Sequence, residues 1–240
     1  MPTADEDHRA RMNEEAHRRR VRSFVRREGR LTSAQRRALE ELWPRYGIDV
    51  GPGGLDLDAA FGRRAPRVLE IGFGGGEALA AAAERHPEND YLGVEVYRPG
   101  IGRLLLELEA RGIDNVRVCL ADAVELLGAA VPPASLDAIH VFFPDPWPKK
   151  RHHKRRLIQP GFAALLARAL RPGGTLRLAT DWPDYARHML EVLEATDALE
   201  NLEGPGRCAP RPAERPVTRF EARGEARGHP VWDLAYRRRA

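Results

Sequence analysis

The segment RVLEIGFGGGEALAAAAER, residues 67–85, decides the fold of this chain. It begins with a short apolar run, passes through a glycine-rich turn and ends in an alanine-rich stretch. Glycine lets the backbone turn tightly and lets a ligand approach without meeting a Cβ atom. The segment therefore predicts a strand over Arg67–Ile71, a turn open to a ligand, and a helix over Glu77–Arg85.

The same alternation continues along the chain. Further strands are predicted at Tyr91–Val96, Val116–Leu120, Leu136–Phe143 and Thr175–Ala179. Helices are predicted between and after them at Gly100–Arg111, Ala123–Leu127, Pro160–Leu170 and Pro183–Glu194. Such βαβ units predict an α/β fold with a mostly parallel sheet covered on both faces. Two last runs, Val217–Glu221 and Val231–Tyr236, predict an antiparallel hairpin that closes a seven-stranded sheet.

The first 64 residues differ in composition from the rest. Residues 1–30 are almost wholly charged, which is typical of an arm that stays mobile until it binds a ligand. A short amphipathic helix is predicted over Thr32–Trp43, and the glycines and proline of residues 51–54 predict a linker. We therefore expect a basic arm over 1–30, a helical lead-in and linker over 31–64, and the main domain over 65–240.

Positive charge is concentrated in three segments. Residues 16–30 hold seven arginines and one glutamate, residues 149–156 hold six lysines and arginines and no acid, and residues 207–240 hold nine arginines and four acids. The whole chain carries only +4, so the remaining residues are acidic overall. This distribution is typical of a protein that directs RNA or DNA to one face. Arginine-rich tails that only improve solubility are the alternative.

The remaining composition restricts the class of protein. Cys119 and Cys208 are too few for a disulfide framework, and no cysteine–histidine spacing predicts a metal site. No apolar run approaches the length of a membrane span, and the polar N-terminus is unlike a signal peptide. We expect a cytoplasmic protein with no membrane partner, no metal and no obligate protein partner.

Acidic and glycine-rich features stand at the ends of successive predicted strands. The G-x-G-x-G turn that begins at Gly72 follows the first strand, Glu95 ends the second, and Asp122 ends the third. Glu95 is placed to accept hydrogen bonds from ribose hydroxyls, and Asp122 from an adenine amino group. Glu70 would repel a pyrophosphate but suits an ammonium group. Together they favour S-adenosylmethionine over a dinucleotide, whose fingerprint needs glycine where Glu77 stands.

Each of these features also has a purely structural interpretation. The glycines could form only a tight turn, and Asp122 could simply cap the helix that follows it. His140, within the fourth strand, is interpreted as an interior polar group. Asp181 ends the fifth strand, where it could cap the next helix or touch a substrate base or ribose.

The fourth strand leads into the turn PDPWP, residues 144–148. Proline fixes φ at about −65° and keeps the preceding residue out of the helical region, so Asp145 and Trp147 are predicted to lie in a stiff, extended turn beside the cofactor crevice. A similar turn in amino-group methyltransferases accepts protons from an exocyclic amine. A ring nitrogen such as guanine N7 has no proton to lose and needs only to be positioned. Trp147 could stack on the base or only wall the pocket.

Structural alternatives remain for this region as well. Asp145 could be only a turn former, and Trp147 could be a lid on the core. We interpret His152 and His153 from the residues alone as solvated loop side chains.

The chain closely resembles the bacterial tRNA (guanine-N7)-methyltransferase family, called TrmB. The motifs that carry the resemblance are RSFVRR at 22–27, EIGFG at 70–74, FPDPW at 143–147 with Lys149 and residues 151–156, TDW at 180–182 with Tyr185, and TRFE at 218–221 with Gly224, Gly228 and His229. This resemblance spans nearly the whole chain. Arg219 stands where many relatives have lysine.

The resemblance implies a Rossmann-like class I methyltransferase that transfers a methyl group from S-adenosylmethionine to N7 of guanosine 46 of tRNA. It implies cofactor contacts at Glu70, Glu95, Asp122 and Asp145, with Asp145 also the catalytic residue. It implies substrate contacts at Lys149, Asp181, Thr218, Arg219, Phe220 and Glu221. It implies RNA contacts at Arg151, His152, His153, Lys154, Arg155 and Arg156.

Three other functions fit parts of the sequence. The proline-rich turn also suits an exocyclic-amine methyltransferase. A non-catalytic RNA-binding module could keep the fold without the chemistry, and the glycine turn alone would suit a nicotinamide oxidoreductase.

Overall fold

A computed structural model describes residues 23–24, 29–51, 53–212, 215, 221 and 230–240. Most of the arm expected over residues 1–30 lies outside these residues, as do Thr218, Arg219 and Phe220. Strands form one seven-stranded sheet in the described part of the chain: β1 Arg67–Ile71, β2 Asp90–Glu95, β3 Val116–Leu120, β4 Leu136–Phe142, β5 Leu170–Thr180, β6 Leu199–Asn201 and β7 Trp232–Arg238.

Helices cover both faces of this sheet. They are α1 Ser33–Glu41, α2 Trp43–Tyr46, α3 Leu57–Phe61, α4 Glu77–Arg85, α5 Arg98–Arg111, α6 Ala123–Ala129, α7 Pro160–Ala169 and α8 Pro183–Glu194, with a 3₁₀ helix at Lys150–Arg155. The predicted α/β fold is confirmed, and the predicted bounds of β1, β3, α4 and α8 agree with the structure.

The strand order is β3-β2-β1-β4-β5-β7-β6. Strands β1 to β5 are parallel, whereas β7 runs antiparallel to both of its neighbours. The strand order reverses between β1 and β4. Strands β2 and β3 extend the sheet on one side of β1, and the chain then returns to place β4 on its other side. A crevice forms outside the carboxyl ends of the strands at such a switch point, which is where a doubly wound sheet binds its ligand.

The C-terminal end of the sheet is antiparallel, as predicted, but with a different partner strand. Strand β7 pairs with β6, a three-residue strand too short to give a recognisable pattern in the sequence. Of the predicted partner strand over 217–221, only Glu221 is described, and its backbone is helical rather than extended. Strand β5 begins at Leu170, five residues earlier than predicted. Leu170 already pairs with Leu136 of β4, and the intervening Pro172 and two glycines, which hid this start in the sequence, shift the register before the pairing resumes at Thr175.

Side chains alternate between the two faces of the sheet along each strand. Leu69 and Ile71 of β1 join residues of α6, α7 and α8 in one apolar cluster. Val68, on the opposite face, joins residues of α1, α4 and α5 in the other. Glu70 follows the same alternation and lies on the Val68 face.

The lead-in helix α1 is packed onto the domain. Thr32 caps it, because Gln35 N donates to Thr32 Oγ1 at 3.2 Å and Thr32 N donates to Gln35 Oε1 at 3.0 Å. The Gln35 side chain also donates to Pro99 O at 3.1 Å, at the start of α5. Helix α1 is therefore anchored to the start of α5.

Candidate active site

A cavity of about 250 Å³ opens at the carboxyl ends of β1 to β4. Four of the predicted cofactor residues line it: Gly72, Glu95, Asp122 and Asp145. Ser23 and Phe24 of the N-terminal arm also line it, so the arm reaches the mouth of the same cleft. We call this cavity the cofactor cleft.

The glycine turn is confirmed, and its geometry explains why glycine is needed. Gly72 has φ of 72°, and no atom lies within 4 Å of the position that a Cβ would take there, so the backbone is open to a ligand. A Cβ on Gly100 would lie 2.0 Å from Gly74 O. The start of α5 can therefore pack directly against the turn.

Glu95 holds the turn to the end of β2. Its carboxylate accepts hydrogen bonds from Gly74 N at 2.9 Å, Val96 N at 2.7 Å and Tyr97 N at 3.0 Å. A carboxylate has about four acceptor positions. These backbone donors fix the orientation of Glu95 and leave acceptor capacity for a ligand hydroxyl.

Asp122 caps α6, which was its structural interpretation, and it also lines the cofactor cleft. Its Oδ1 accepts from Val124 N at 2.8 Å, which caps α6. A cap of this kind locks the side chain in one rotamer and leaves Oδ2 for a second partner. The cap is confirmed, and the contact with an adenine amino group stays a prediction.

Glu70 does not line the cofactor cleft. It faces a neighbouring cavity of about 310 Å³, together with His140 of β4 and Arg177 of β5. These three residues occupy one row across adjacent strands, since Glu70 pairs with His140 and His140 with Arg177. Burial raises the pKa of Glu70 to about 8. Burial, and then the charge of Arg177, lower the pKa of His140 to about 4.

Asp145 is exposed and lies just beyond the end of β4. The preceding Phe143 has φ of 51°, an uncommon conformation for a bulky residue, and its N–H donates to Ala179 O at 2.8 Å. The bond to β5 continues the pairing of the strands past β4. The backbone that carries Asp145 is therefore fixed on one side by the sheet.

Trp147 differs from the prediction. It lies outside the right-handed helical region, as expected of a residue before proline, but with φ of 47° it is left-handed rather than extended. Its indole N–H donates to Ser23 O at 3.0 Å, and the Arg155 guanidinium carbon lies 4.8 Å from its ring centroid. His152 meets the ring edge-on at 5.8 Å. These contacts join Ser23 of the arm to the basic loop through Trp147.

The basic loop, residues 149–156, forms a 3₁₀ helix whose side chains divide into two sets. Lys149, Arg151 and Lys154 are exposed, which suits contact with a phosphate backbone. Arg156 is only 3% exposed, so its position contradicts the predicted RNA contact. Its guanidinium donates to Pro146 O at 3.0 Å and to Asp184 Oδ2 at 2.6 Å.

Arg156 also lies over the ring of Tyr185, with 5.0 Å between the guanidinium carbon and the ring centroid. Its hydrogen bond holds the pKa of Asp184 below its usual range. Arg156 therefore anchors the loop to α8, and the sequence alone gave no sign of this because only the fold brings Asp184 beside it.

The predicted substrate residues are partly described. Asp181 is half-buried after β5, and it does not cap α8, whose N-cap residue is Trp182. Glu221 is buried and receives two hydrogen bonds of 2.8 Å from Arg215. Sequence analysis did not identify Arg215 or its other partner, Asp233.

The residues that the structure describes lack two kinds of feature. No helix among them is long and apolar enough to cross a membrane. No group of three or more histidine, cysteine, aspartate or glutamate side chains in the same residues could hold a metal ion.

Comparison with known proteins places the chain in a family. The family model described as "Putative methyltransferase" matches residues 64–234. A tRNA (guanine-N(7)-)-methyltransferase of Alkalilimnicola ehrlichii is 60% identical over 221 residues, which cover 91% of this chain and 93% of that protein. A protein of the same name from Halorhodospira halophila is 60% identical over 222 residues, which cover 92% of this chain and 96% of that protein.

Solved structures are similar in fold at much lower identity. The crystal structure of the 16S rRNA methyltransferase KamB gives a TM-score of 0.55 at 16% identity and covers 92% of this chain and 99% of that chain. A mutant 16S rRNA (adenine(1408)-N(1))-methyltransferase from Catenulisporales acidiphilia, solved with SAM, gives 0.54 at 16% identity and covers 80% of this chain and 93% of that chain. These structures show the fold alone; the sequence matches show that the chain belongs to the tRNA (guanine-N(7)-)-methyltransferase family.

Proposed function

We propose that this protein transfers a methyl group from S-adenosylmethionine to N7 of guanosine in tRNA, that the acceptor is guanosine 46, and that it acts in the cytoplasm. The observation that carries the proposal is the position of Asp145. It lies between a cleft lined by Glu95 and Asp122 and a loop that exposes lysine and arginine side chains. A donor site and an RNA surface therefore meet at the end of β4.

The cleft residues fit the cofactor chemically. Half-buried carboxylates at the ends of β2 and β3 can accept hydrogen bonds from ribose hydroxyls and from an amino group. Three carboxylates around the cleft favour a cationic ligand over a pyrophosphate. S-adenosylmethionine supplies a methyl group on a positively charged sulfur.

The chain's own residues have to position the acceptor rather than remove a proton. Guanine N7 carries a lone pair in the plane of the ring, so a transfer to it needs alignment and no general base. Asp145 accepts hydrogen bonds from the N–H groups of guanine and orients the base. Lys149, Arg151 and Lys154 contact phosphates and fix the register of the tRNA.

The test is to identify the methylated atom. Purified protein is incubated with a tRNA transcript and S-adenosylmethionine, and the nucleosides are separated and identified by mass spectrometry. We expect 7-methylguanosine, and we expect none with a matched transcript in which adenosine replaces guanosine 46. Methyl on an exocyclic amine would support the rival enzyme class, and no transfer to any tRNA would contradict the proposal.

A further inference from the structure

Arg215 lies at the centre of a buried cluster of charges. Its side chain is 2% exposed, and its guanidinium donates two hydrogen bonds of 2.8 Å to the carboxylate of Glu221. It donates two more to Asp233 of β7, at 3.0 and 3.1 Å. Both carboxylates are also buried. The planar guanidinium is therefore held in one orientation by four hydrogen bonds.

Burial of these charges is better explained by the orientation that they fix than by a gain in the free energy of unfolding. Removing water from one cation and two carboxylates is costly, and apolar residues of similar volume often stabilise a fold equally well. A planar guanidinium paired with two carboxylates does, however, hold itself and both carboxylates in fixed orientations. The groups that the guanidinium faces therefore indicate what the cluster positions.

The guanidinium faces the end of β4. Its carbon lies 5.7 Å from the centroid of the Phe142 ring and 5.4 Å from that of Phe143. Both rings belong to residues that line the cofactor cleft, and Asp145 is two residues further along. Arg215 thus contacts the side chains of Phe142 and Phe143, while the backbone of Phe143 is bonded to Ala179.

The opposite side of the cluster is fixed to the same part of the sheet. Asp233 pairs with Ala179 in the register of β7 and β5, and Ala179 O accepts the hydrogen bond from Phe143 N. The left-handed backbone of Phe143 is held between this bond and the guanidinium. Glu221, the last residue of the expected substrate-contact run, is fixed by the same side chain.

We propose that Arg215 is a positioning residue for methyl transfer, which sets the pose of Asp145 by clamping Phe142 and Phe143 against β5 and β7 while it holds Glu221. The proposal rests on the proposed function. Arg215 does not line the cofactor cleft, so it acts through the end of β4.

The test compares Arg215→Lys with Arg171→Lys as a matched control. Lysine keeps the charge but cannot reproduce the planar fork or the stacking. Arg171 also pairs with a carboxylate, that of Asp137, but it is exposed and lies at the start of β5, away from the cluster and from the cofactor cleft. In single-turnover reactions we expect Arg215→Lys to slow transfer by about tenfold to 100-fold, and Arg171→Lys by less than about twofold. Dissociation constants for tRNA and S-adenosylhomocysteine should change by less than about threefold.

Hydrogen exchange provides a readout that does not depend on activity. We expect faster amide exchange in Arg215→Lys over residues 142–147, with unchanged exchange in β1 to β3. An unchanged transfer rate with unchanged exchange at 142–147 would overturn the proposal. Faster exchange throughout the sheet would overturn it too, because it would indicate a general loss of stability. If wild-type protein failed to methylate tRNA, the proposed function would fail, and exchange would still test the clamp.

Asp233→Asn provides a second variant in case Arg215→Lys does not fold. It is nearly isosteric and leaves Arg215 and Glu221 in place, so only one side of the clamp weakens. We expect the same local increase in exchange at 142–147 with a smaller loss of transfer rate. Wild-type exchange and rate in Asp233→Asn would contradict the proposal.

Discussion

Asp145 combines features that its neighbours do not share. It is exposed and lines the cofactor cleft, and it lies two residues after Phe143, whose left-handed backbone is bonded to β5. The prolines on both sides restrict its backbone further. A side chain on a backbone restricted in this way can orient a base at a lower entropic cost.

Replacing Asp145 tests this role directly. Asp145→Ala should reduce the single-turnover rate of methyl transfer by at least about 100-fold, because the base loses its orientation. Affinity for tRNA should stay nearly unchanged, since phosphate contacts provide most of it. Asp114→Ala, at an exposed aspartate that follows α5, is the control and should transfer at the wild-type rate. A fully active Asp145→Ala protein would contradict the role.

Glu70 shows how strand alternation moves a residue away from its expected site. The sequence predicted it beside the cofactor because it precedes the glycine turn, yet its side chain points to the opposite face from Ile71 and enters a second cavity. Its pKa of about 8 means that the folded protein holds a proton there which the unfolded chain releases above its ordinary value of 4.5.

This proton predicts a dependence of stability on pH. Between about pH 4.5 and 8 the native state binds more protons at Glu70 than the unfolded state, so this residue's contribution to stability falls as pH rises. Glu70→Gln removes the dependence. The free energies of unfolding of the two proteins should agree at about pH 4, and the variant should be more stable by about 2 kcal/mol or more at pH 8. A constant difference across this range would contradict the assignment.

The basic loop is the element on which the proposed RNA binding depends, and the structure separates its exposed cations from its buried one. Arg151 and Lys154 are exposed, whereas Arg156 is buried against α8. A run of six cations cannot reveal this difference, since a side chain's partner depends on which helix packs beneath it. The sequence predicted where the loop lies and what it binds, but not which member anchors it.

The exposed members should control the salt dependence of binding. Each phosphate contact releases counterions and adds about 0.9 to the slope of log affinity against log salt, so Arg151→Ala with Lys154→Ala should reduce the slope by about 1.5 to 2. Arg64→Ala with Arg85→Ala, away from the cleft, should leave it unchanged. Equal slopes for all proteins would mean that the RNA binds elsewhere.

The buried member should behave differently. Arg156→Ala removes the charge and should still preserve the salt slope, because Arg156 does not reach the surface. It loses the hydrogen bonds to Pro146 and Asp184, so we expect the free energy of unfolding to fall by about 1 to 3 kcal/mol. A salt slope lowered by about 0.9 would restore Arg156 as an RNA contact.

Across the whole molecule, the sequence predicts those strands and helices that have a periodic pattern of apolar residues. The five parallel strands and the main helices follow from alternating apolar runs and helical patterns, and four of the predicted cofactor residues meet in one cleft. Strand β6 was missed because three residues carry no period. The clamp around Arg215 was missed because residues far apart in the chain become neighbours only through the pairing of β5 with β7.

The central claim is that the donor binds in the cleft beside Asp145, and a crystal structure of the protein with S-adenosylhomocysteine tests it most directly. We expect the ribose hydroxyls against Glu95, the adenine near Asp122, and the sulfur facing the turn that carries Asp145. A ligand bound in the Glu70 cavity, or anywhere away from the end of β4, would contradict the account.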